Sequence, residues 1–241
     1  MTIERNWNGS PTIVDKEIEE GCLFENTLVG LGTIIIDKDF IDEMNKIAEK
    51  NKAGNKLVAL LTTINNDVKD YFYSNDNNDK SREQTYSDND VVDEHGYIVG
   101  TKLSSLKGKN VALCSEKSIG CYLVLKKLYE MGSITRKPSL VLSSMKTTNS
   151  KPGPHAFVLL DKECDDPTKH LLFDPENPTY VDDGNGIQVY YCGIYSLTDD
   201  DYKNFTEGGV CSPTSIYEIG TNYHEVSDKR TYGNCEKIMN L

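Results

Sequence analysis

The feature of this sequence that most constrains its fold is a helix that is apolar on two opposite faces. It is predicted by the stretch NVALCSEKSIGCYLVLKKLYEMG, in which an apolar lead-in precedes Cys114 and a glycine ends the run. At about 100° per residue, Ser118 and Leu125 lie on the same side as Cys114, while Ile119 and Leu123 lie on the opposite side. Because both faces must be buried, we expect this helix to lie between two layers of structure.

The segments that follow this helix have the alternating, β-branched and aromatic composition of strands, and polar turns separate them. In chain order they read SLVLSSM, HAFVLLD, HLLFD, IQVYYCGIYSL and SPTSIYEIG. One central helix followed by strands that are joined through short turns predicts an α+β fold, in which the helix packs on an antiparallel β-sheet.

The sequence before the central helix divides into two regions. Residues 1–73 are predicted to form a helical N-terminal region, because apolar residues at helical spacing, such as Phe40 and Met44, indicate a helical hairpin. Residues 74–90 are nearly free of aliphatic side chains and rich in Asn, Asp and Ser, which predicts a polar loop or linker. Residues 91–241 then form a domain that contains the central helix and the strands.

The charge of the chain limits its partners. A net charge of −12 argues against binding to nucleic acid or to an anionic membrane surface, because both repel an acidic protein. The longest apolar run, residues 28–36, is much shorter than the roughly 20 residues that a membrane-spanning helix requires. A neutral or basic partner fits this composition better.

The cysteines indicate free thiols. There are seven of them, an odd number, and the N-terminal residues lack the apolar stretch of a secretion signal. We therefore expect a cytoplasmic protein without a disulfide framework, although export by another route stays open. No C-x-x-C pair occurs, so neither a zinc site nor any other metal or cofactor is predicted.

Cys114 occupies the first turn of the predicted helix, where a cysteine has two possible roles. Unpaired backbone N–H groups and the positive end of the helix dipole favour an anion there, so the thiol would react as a thiolate. The same N–H groups could receive a developing oxyanion. The alternative is a small buried apolar side chain, which is the role of most free cysteines and the one we expect for Cys121.

A histidine and an aspartate lie at the outer ends of one predicted hairpin. Folding the arms HAFVLLD and HLLFD symmetrically about Cys164 and Asp165 places His155 directly opposite Asp174. Directly opposed residues of antiparallel strands have Cβ atoms about 5 Å apart, which suits a hydrogen bond between an imidazole and a carboxylate. Cys114, His155 and Asp174 are therefore the candidate catalytic residues.

The other three histidines are not expected to take part in catalysis. In the symmetric register His170 falls opposite Leu159, away from the start of the strand, and we expect it to be structural or exposed. His95 and His224 lie in polar, turn-like sequence and are expected at the surface.

These residues resemble the transglutaminase-like superfamily of the papain-like cysteine enzymes. The pattern of that superfamily is a cysteine at the start of a buried helix, then His-Ala-Trp/Phe at a strand start, then Asp-Pro on the next strand. Here it reads CSEKSIGCYLVLKKLYEMG, PHAFVLL and LLFDPENP, over roughly residues 102–198. Asn-Val-Ala-Leu stands where many members have Gly before the cysteine. The order and spacing also resemble arylamine N-acetyltransferases, without their Arg-Gly-Gly-x-Cys lead-in.

The resemblance implies a papain-like catalytic core in residues 91–241 and a cysteine-dependent hydrolase of peptide, isopeptide or side-chain amide bonds. Cys114 would attack the carbonyl carbon, His155 would act as general base and then acid, and Asp174 would orient the imidazole. The substrate would be a protein or peptide.

The sequence leaves three matters open. Besides the N–H of Cys114, a second oxyanion donor could be Asn110 or Gln84. The same thioester could serve acyl or amine transfer instead of hydrolysis. A non-catalytic interaction protein on this fold is the third hypothesis, and an intact Cys, His and Asp set speaks against it because a scaffold has no need of those residues.

Overall fold

The chain has an α+β fold, as the sequence predicts. The computed structural model describes residues 2–4, 12–13, 18–25, 33–53, 57–74, 80–146, 153–161, 170–182, 188–197, 199–200, 203 and 214–215. The helices in this part are α1 (Lys38–Asn51), α2 (Leu57–Phe72), α3 (Arg82–Asp88) and α4 (Cys114–Glu130). The strands are β1 (Thr2–Glu4), β2 (Thr12–Ile13), β3 (Leu23–Glu25), β4 (Thr33–Ile35), β5 (Asp90–Val92), β6 (Ile98–Lys102), β7 (Lys137–Lys146), β8 (Gly153–Asp161), β9 (His170–Asp182), β10 (Gln188–Leu197) and β11 (Thr214–Ser215).

The strands form two sheets. The larger sheet has the order β1-β7-β8-β9-β10-β11, with β2 also paired to β7, and all of its pairs are antiparallel. The smaller sheet has the order β3-β4-β6-β5 and is mixed, because β4 and β6 run parallel. The predicted antiparallel sheet is therefore the larger of the two, and the smaller one was not anticipated.

Helix α4 lies between the two layers that its sequence predicts. It begins at Cys114, and every residue from 114 to 125 is buried. One side of α4 contacts α1 and α2, and the other side contacts β7, β8 and β9. Gly120 permits the close approach of the helices, since a Cβ at this position would lie 2.8 Å from Val68 Cγ1 and 3.3 Å from Met44 Sδ.

The N-terminal region contains the predicted helical hairpin, but it is not entirely helical. Helices α1 and α2 pack on each other and belong to the same hydrophobic core as α4. Strand β4 occupies Thr33–Ile35, where the apolar run was expected to open the first helix, and α1 starts only at Lys38. Three consecutive β-branched side chains favour a strand over a helix, which explains the difference.

The prediction that residues 74–90 form a polar loop is wrong for the second half of this range. Arg82–Asp88 form α3, which begins with Ser81 accepting a hydrogen bond from Gln84 N at 3.2 Å. Thr85 and Tyr86 are buried, and tertiary contacts of Arg82 and Tyr86 hold the helix. Residues 75–79 lie outside the described residues. Within the described part of the chain, no helix is long and apolar enough to cross a membrane.

Candidate active site

Cys114 stands at the N-terminus of α4, and the backbone just before it is held by hydrogen bonds to two of its carbonyls. Val111 and Ala112 are buried, and the Ala112 carbonyl accepts a hydrogen bond from the Tyr73 hydroxyl at 2.6 Å. The Val111 carbonyl accepts from the Arg82 guanidinium. Cys114 is 8% exposed, so this residue is nearly enclosed.

His155 lies near the start of β8 and is held by Asp174 on β9. The Nε2 atom of His155 is 2.9 Å from Oδ2 of Asp174, and both side chains are buried. Because an ionised carboxylate only accepts hydrogen bonds, Nε2 carries the proton in this contact. The other ring nitrogen, Nδ1, is then the one that can exchange a proton with a neighbouring thiol.

Cys114 is that neighbour, and it contributes to the electrostatics of the imidazole. Burial lowers the pKa of His155, but the Asp174 carboxylate and a hydrogen bond with Cys114 outweigh burial and raise the pKa from 6.5 to about 10. The structure therefore brings the three predicted site residues together, and their surroundings favour the imidazolium form of His155.

The predicted hairpin register is wrong, although the contact that it was meant to explain is present. Strand β8 pairs with β9 through Val158 opposite Phe173 and Asp161 opposite His170, whereas the symmetric register would have placed Val158 opposite Leu171. The strands are thus shifted by two residues. A shift of two keeps every side chain on its face of the sheet, so His155 and Asp174 still meet as diagonal neighbours.

Ser118 connects α4 to β8, the strand that carries His155. One turn after Cys114, its hydroxyl donates a hydrogen bond of 2.9 Å to the carbonyl of Ala156, the residue that follows His155. Both groups are buried. This bond fixes the position of β8 along the axis of α4. It thereby also fixes the position of the imidazole relative to the thiol.

Glu116 is a buried residue of the site that the sequence analysis missed. Its carboxylate accepts a hydrogen bond from the N–H of Leu113 at 2.9 Å, which caps the N-terminus of α4. It also pairs with Arg82 and accepts a hydrogen bond from Tyr86, both on α3. The signal was its position, since an acidic residue in the first turn of a helix is typical of this kind of cap.

A second missed pair, Lys117 and Glu176, lies beside the three site residues. Lys117 Nζ is 2.7 Å from Glu176 Oε2, and the backbone N–H of Glu176 donates to Asp174 Oδ1 at 3.0 Å. Burial raises the pKa of Glu176, and Lys117 only partly offsets this effect. The sequence signal for this pair was a lysine three residues after the cysteine, in a helix that is otherwise apolar on two faces.

The two candidates for a second oxyanion donor make other contacts. Asn110, which has a positive φ of 60°, accepts a hydrogen bond from Ser74 N through Oδ1 at 2.8 Å. Gln84 is exposed on α3 and donates to Asp88 Oδ1 at 2.6 Å. These contacts give both residues structural roles, and neither contact involves Cys114, His155 or Asp174.

The remaining predictions concern the residues around the site. Cys121 is fully buried in the core, as predicted, and His95 is exposed. His170 is buried and structural, because its Nδ1 lies 2.9 Å from Asp161 Oδ1 on the paired strand. His224 lies outside the described residues. Among the residues that the structure describes, no group of His, Cys, Asp and Glu side chains is placed to hold a metal ion.

Comparisons with known proteins assign no family to this arrangement. No family model, no curated protein and no solved structure matches the chain.

Proposed function

We propose that this protein is a cysteine-dependent hydrolase of amide bonds, built on a transglutaminase-like, papain-like core, and that Cys114 carries the acyl group as a thioester. The observation that carries the proposal is the contact of the His155 imidazole with Cys114 on one side and Asp174 on the other. A buried cysteine alone is common in protein cores. A thiol at a helix start, a base beside it and a buried carboxylate behind the base are the parts that nucleophilic catalysis needs.

The first half of the reaction forms the thioester. The proton of the thiol resides on His155, whose imidazolium form is favoured by its raised pKa, and the sulfur of Cys114 attacks the carbonyl carbon of the amide. Backbone N–H groups in the first turn of α4 donate hydrogen bonds to the oxygen that becomes negative, and the helix dipole stabilises this charge. The imidazolium then gives its proton to the leaving nitrogen, the C–N bond breaks, and the amine departs.

The second half releases the acyl group. Water replaces the amine, and His155 removes its proton as the oxygen attacks the thioester carbon. The C–S bond of the thioester breaks, and the free sulfur of Cys114 takes a proton from the imidazolium. Throughout, Asp174 selects the tautomer of His155 that has its proton on Nε2, and it stabilises the imidazolium.

The expected substrate is a peptide, isopeptide or side-chain amide of a protein. The net charge of −12 favours neutral or basic substrates over acidic ones. Transfer of the acyl group to an amine is the second candidate, and the burial of Cys114 favours it. A thioester that is shielded from water survives longer for an amine to reach it.

The test combines an acyl donor library with an amine acceptor. The full chain is incubated with peptide amides and glutamine-containing peptides, with and without a fluorescent primary amine, and the products and the intact protein mass are recorded. Amide cleavage with a transient acyl adduct on Cys114 supports hydrolysis, and incorporation of the amine supports transfer. Cys121→Ala is the matched control on the same helix.

Two outcomes would reject the enzyme. One is the absence of any acyl adduct across the library, which would favour the non-catalytic interaction protein. The other is turnover that persists in Cys114→Ala, which would assign the chemistry to another residue.

A further inference from the structure

Lys117 is a buried lysine at the edge of the candidate site. It lies three residues after Cys114 on α4 and is 7% exposed. Its Nζ lies 2.7 Å from Glu176 Oε2 and 5.1 Å from the ring centroid of Tyr73. Lysines are rarely buried unless they are paired, so both partners are needed to hold this one.

The segment of β9 that carries Glu176 bulges out of the sheet directly after Asp174. Asp174 pairs with Gly193 of β10, and the next pair is Thr179 with Tyr191. Four residues of β9, 175–178, thus lie opposite a single residue of β10. This segment reads Pro-Glu-Asn-Pro, and a proline has no N–H to donate to a neighbouring strand.

The bulge places Glu176 between α4 and the carboxylate that holds His155. The backbone N–H of Glu176 donates to Asp174 Oδ1 at 3.0 Å, while Asp174 Oδ2 is 2.9 Å from His155 Nε2. Each oxygen of Asp174 therefore has its own partner. A bulged segment cannot fix the direction of that N–H by sheet pairing, but the bond from Lys117 to the side chain of Glu176 can.

We propose that Lys117 and Glu176 are positioning residues, which anchor the bulge of β9 to the nucleophile helix and thereby hold the Asp174 carboxylate in line with His155. The proposal rests on the proposed function of Cys114, His155 and Asp174. The Lys117–Glu176 pair connects α4, which carries Cys114, to β9, which carries Asp174. This connection does not involve the imidazole of His155.

Stability alone is a poor reason for this pair. Removing two charges from water is costly, and apolar replacements of a buried ion pair are often equally stable. A charged pair beside three polar site residues is more specific, because its hydrogen bond sets a distance and a direction that apolar packing does not. This hydrogen bond therefore serves to fix the position of Asp174.

The test uses the double variant Lys117→Met/Glu176→Gln in the full chain. One positive and one negative charge leave together, so their direct effects on His155 largely cancel and the loss of the anchor remains. Two quantities are measured: the pKa of His155, from the NMR titration of its ring protons, and the single-turnover rate of acylation by p-nitrophenyl acetate. Among the residues that the structure describes, the charged or titratable groups that act on His155, besides the pair itself, are Asp174 and Cys114.

The proposal predicts that both quantities fall in the double variant. The pKa of His155 should decrease because burial is no longer fully opposed by a well-placed carboxylate. The acylation rate should decrease by about 10- to 100-fold, as expected for a small misplacement of a reacting group. Lys117→Arg, which keeps the charge and the hydrogen bond, should retain most of both. A double variant with an unchanged pKa and an unchanged rate would overturn the proposal.

A matched pair elsewhere in the chain serves as the control. Lys107 Nζ lies 3.0 Å from Glu43 Oε2 and 5.1 Å from the ring centroid of Tyr71, which repeats the chemistry of Lys117 at an exposed site. Lys107→Met/Glu43→Gln should leave the pKa of His155 and the acylation rate unchanged. If this control lowers them equally, the effect is general and the proposal is wrong.

A second variant and the NMR titration distinguish a failure of the anchor from other failures. If the double variant does not fold, Glu176→Asp replaces it, because both charges remain and the reach to Lys117 is one methylene shorter. A reduced pKa and rate in that variant support the proposal, and wild-type values oppose it. The NMR titration needs no turnover, so a failure of the proposed function, seen as acylation that does not depend on Cys114, is distinguishable from a failure of the anchor.

Discussion

His155 is buried next to two groups that favour its protonated form. Burial opposes the charge, whereas Asp174 and the hydrogen bond with Cys114 stabilise it, and the second effect is larger. The pKa of about 10 means that the protonated ring contributes to the stability of the fold. This contribution is complete below the unfolded pKa of about 6.5, and it is lost as the pH rises through the folded value.

Asp174→Asn should therefore destabilise the protein most at about pH 6 and least near pH 10. An amide cannot supply the charge that offsets burial, so the pKa of His155 should also fall. Urea denaturation of both proteins across this range gives the difference in the free energy of unfolding. A difference that is constant with pH would show that His155 is not coupled to Asp174.

Cys114 should be the fastest of the three described cysteines to react with iodoacetamide, although it is buried. Cys22 is partly exposed, so accessibility alone would favour Cys22. The reason for the reverse order is the imidazole beside Cys114, which holds the proton of the thiol as the sulfur attacks the reagent. Peptide mapping after brief labelling gives the order, and His155→Ala should slow the labelling of Cys114 while that of Cys22 stays the same. Labelling in the order of exposure would contradict the assignment.

At the scale of elements, α4 joins the helical layer to the sheet. Ser118 bonds to β8 on one side, and Gly120 lies against α1 and α2 on the other. Each contact fixes one face of the helix. Together they determine where Cys114 stands relative to His155.

Gly120→Ala should destabilise the protein, although alanine is the better helix former. The new methyl group would meet Val68 and Met44, and overpacking of this kind costs about 1–3 kcal/mol. The gain from helix propensity is at most about 1 kcal/mol. Chemical denaturation measures the net effect, with Glu130→Ala, at the exposed end of the same helix, as the control. Equal or higher stability of Gly120→Ala would mean that the helices are less closely packed than described.

Sequence reasoning succeeded where local pattern decides the element. The start of α4 at Cys114 and its two buried faces follow from periodicity. Helix α3 was missed because tertiary contacts of Arg82 and Tyr86 stabilise it, and its own sequence is polar. The hairpin register was missed for another reason: registers that differ by two residues bury the same side chains, so the apolar pattern does not distinguish them.

At the scale of the whole molecule, the N-terminal helices complete the core around α4. Side chains of α1 and α2 share one hydrophobic cluster with α4 and with strands of the larger sheet. Strands β1 and β2 pair with β7 in that sheet. The polar segment that separates residues 1–73 from residues 91–241 in the sequence therefore does not separate two cores.

Residues 91–241 expressed alone should not fold cooperatively. Without α1 and α2, the second apolar face of α4 would be exposed to water. This exposure costs a free energy of roughly 25 cal/mol for each Å² of apolar surface. Thermal unfolding followed by circular dichroism, compared with that of the full chain, tests this expectation. A fragment with its own sharp transition would show that the N-terminal region is an independent addition.

The central claim is that Cys114, His155 and Asp174 act as one unit, and single-turnover acylation by p-nitrophenyl acetate tests it most directly. Cys114→Ala and His155→Ala should abolish the burst of nitrophenol, while Asp174→Ala should retain part of it, with a loss of about 10⁴-fold at most. The double variant Cys114→Ala/Asp174→Ala should be no slower than Cys114→Ala, because removal of one member already disables the unit. A burst that survives in Cys114→Ala, or a wild-type rate in Asp174→Ala, would contradict the account.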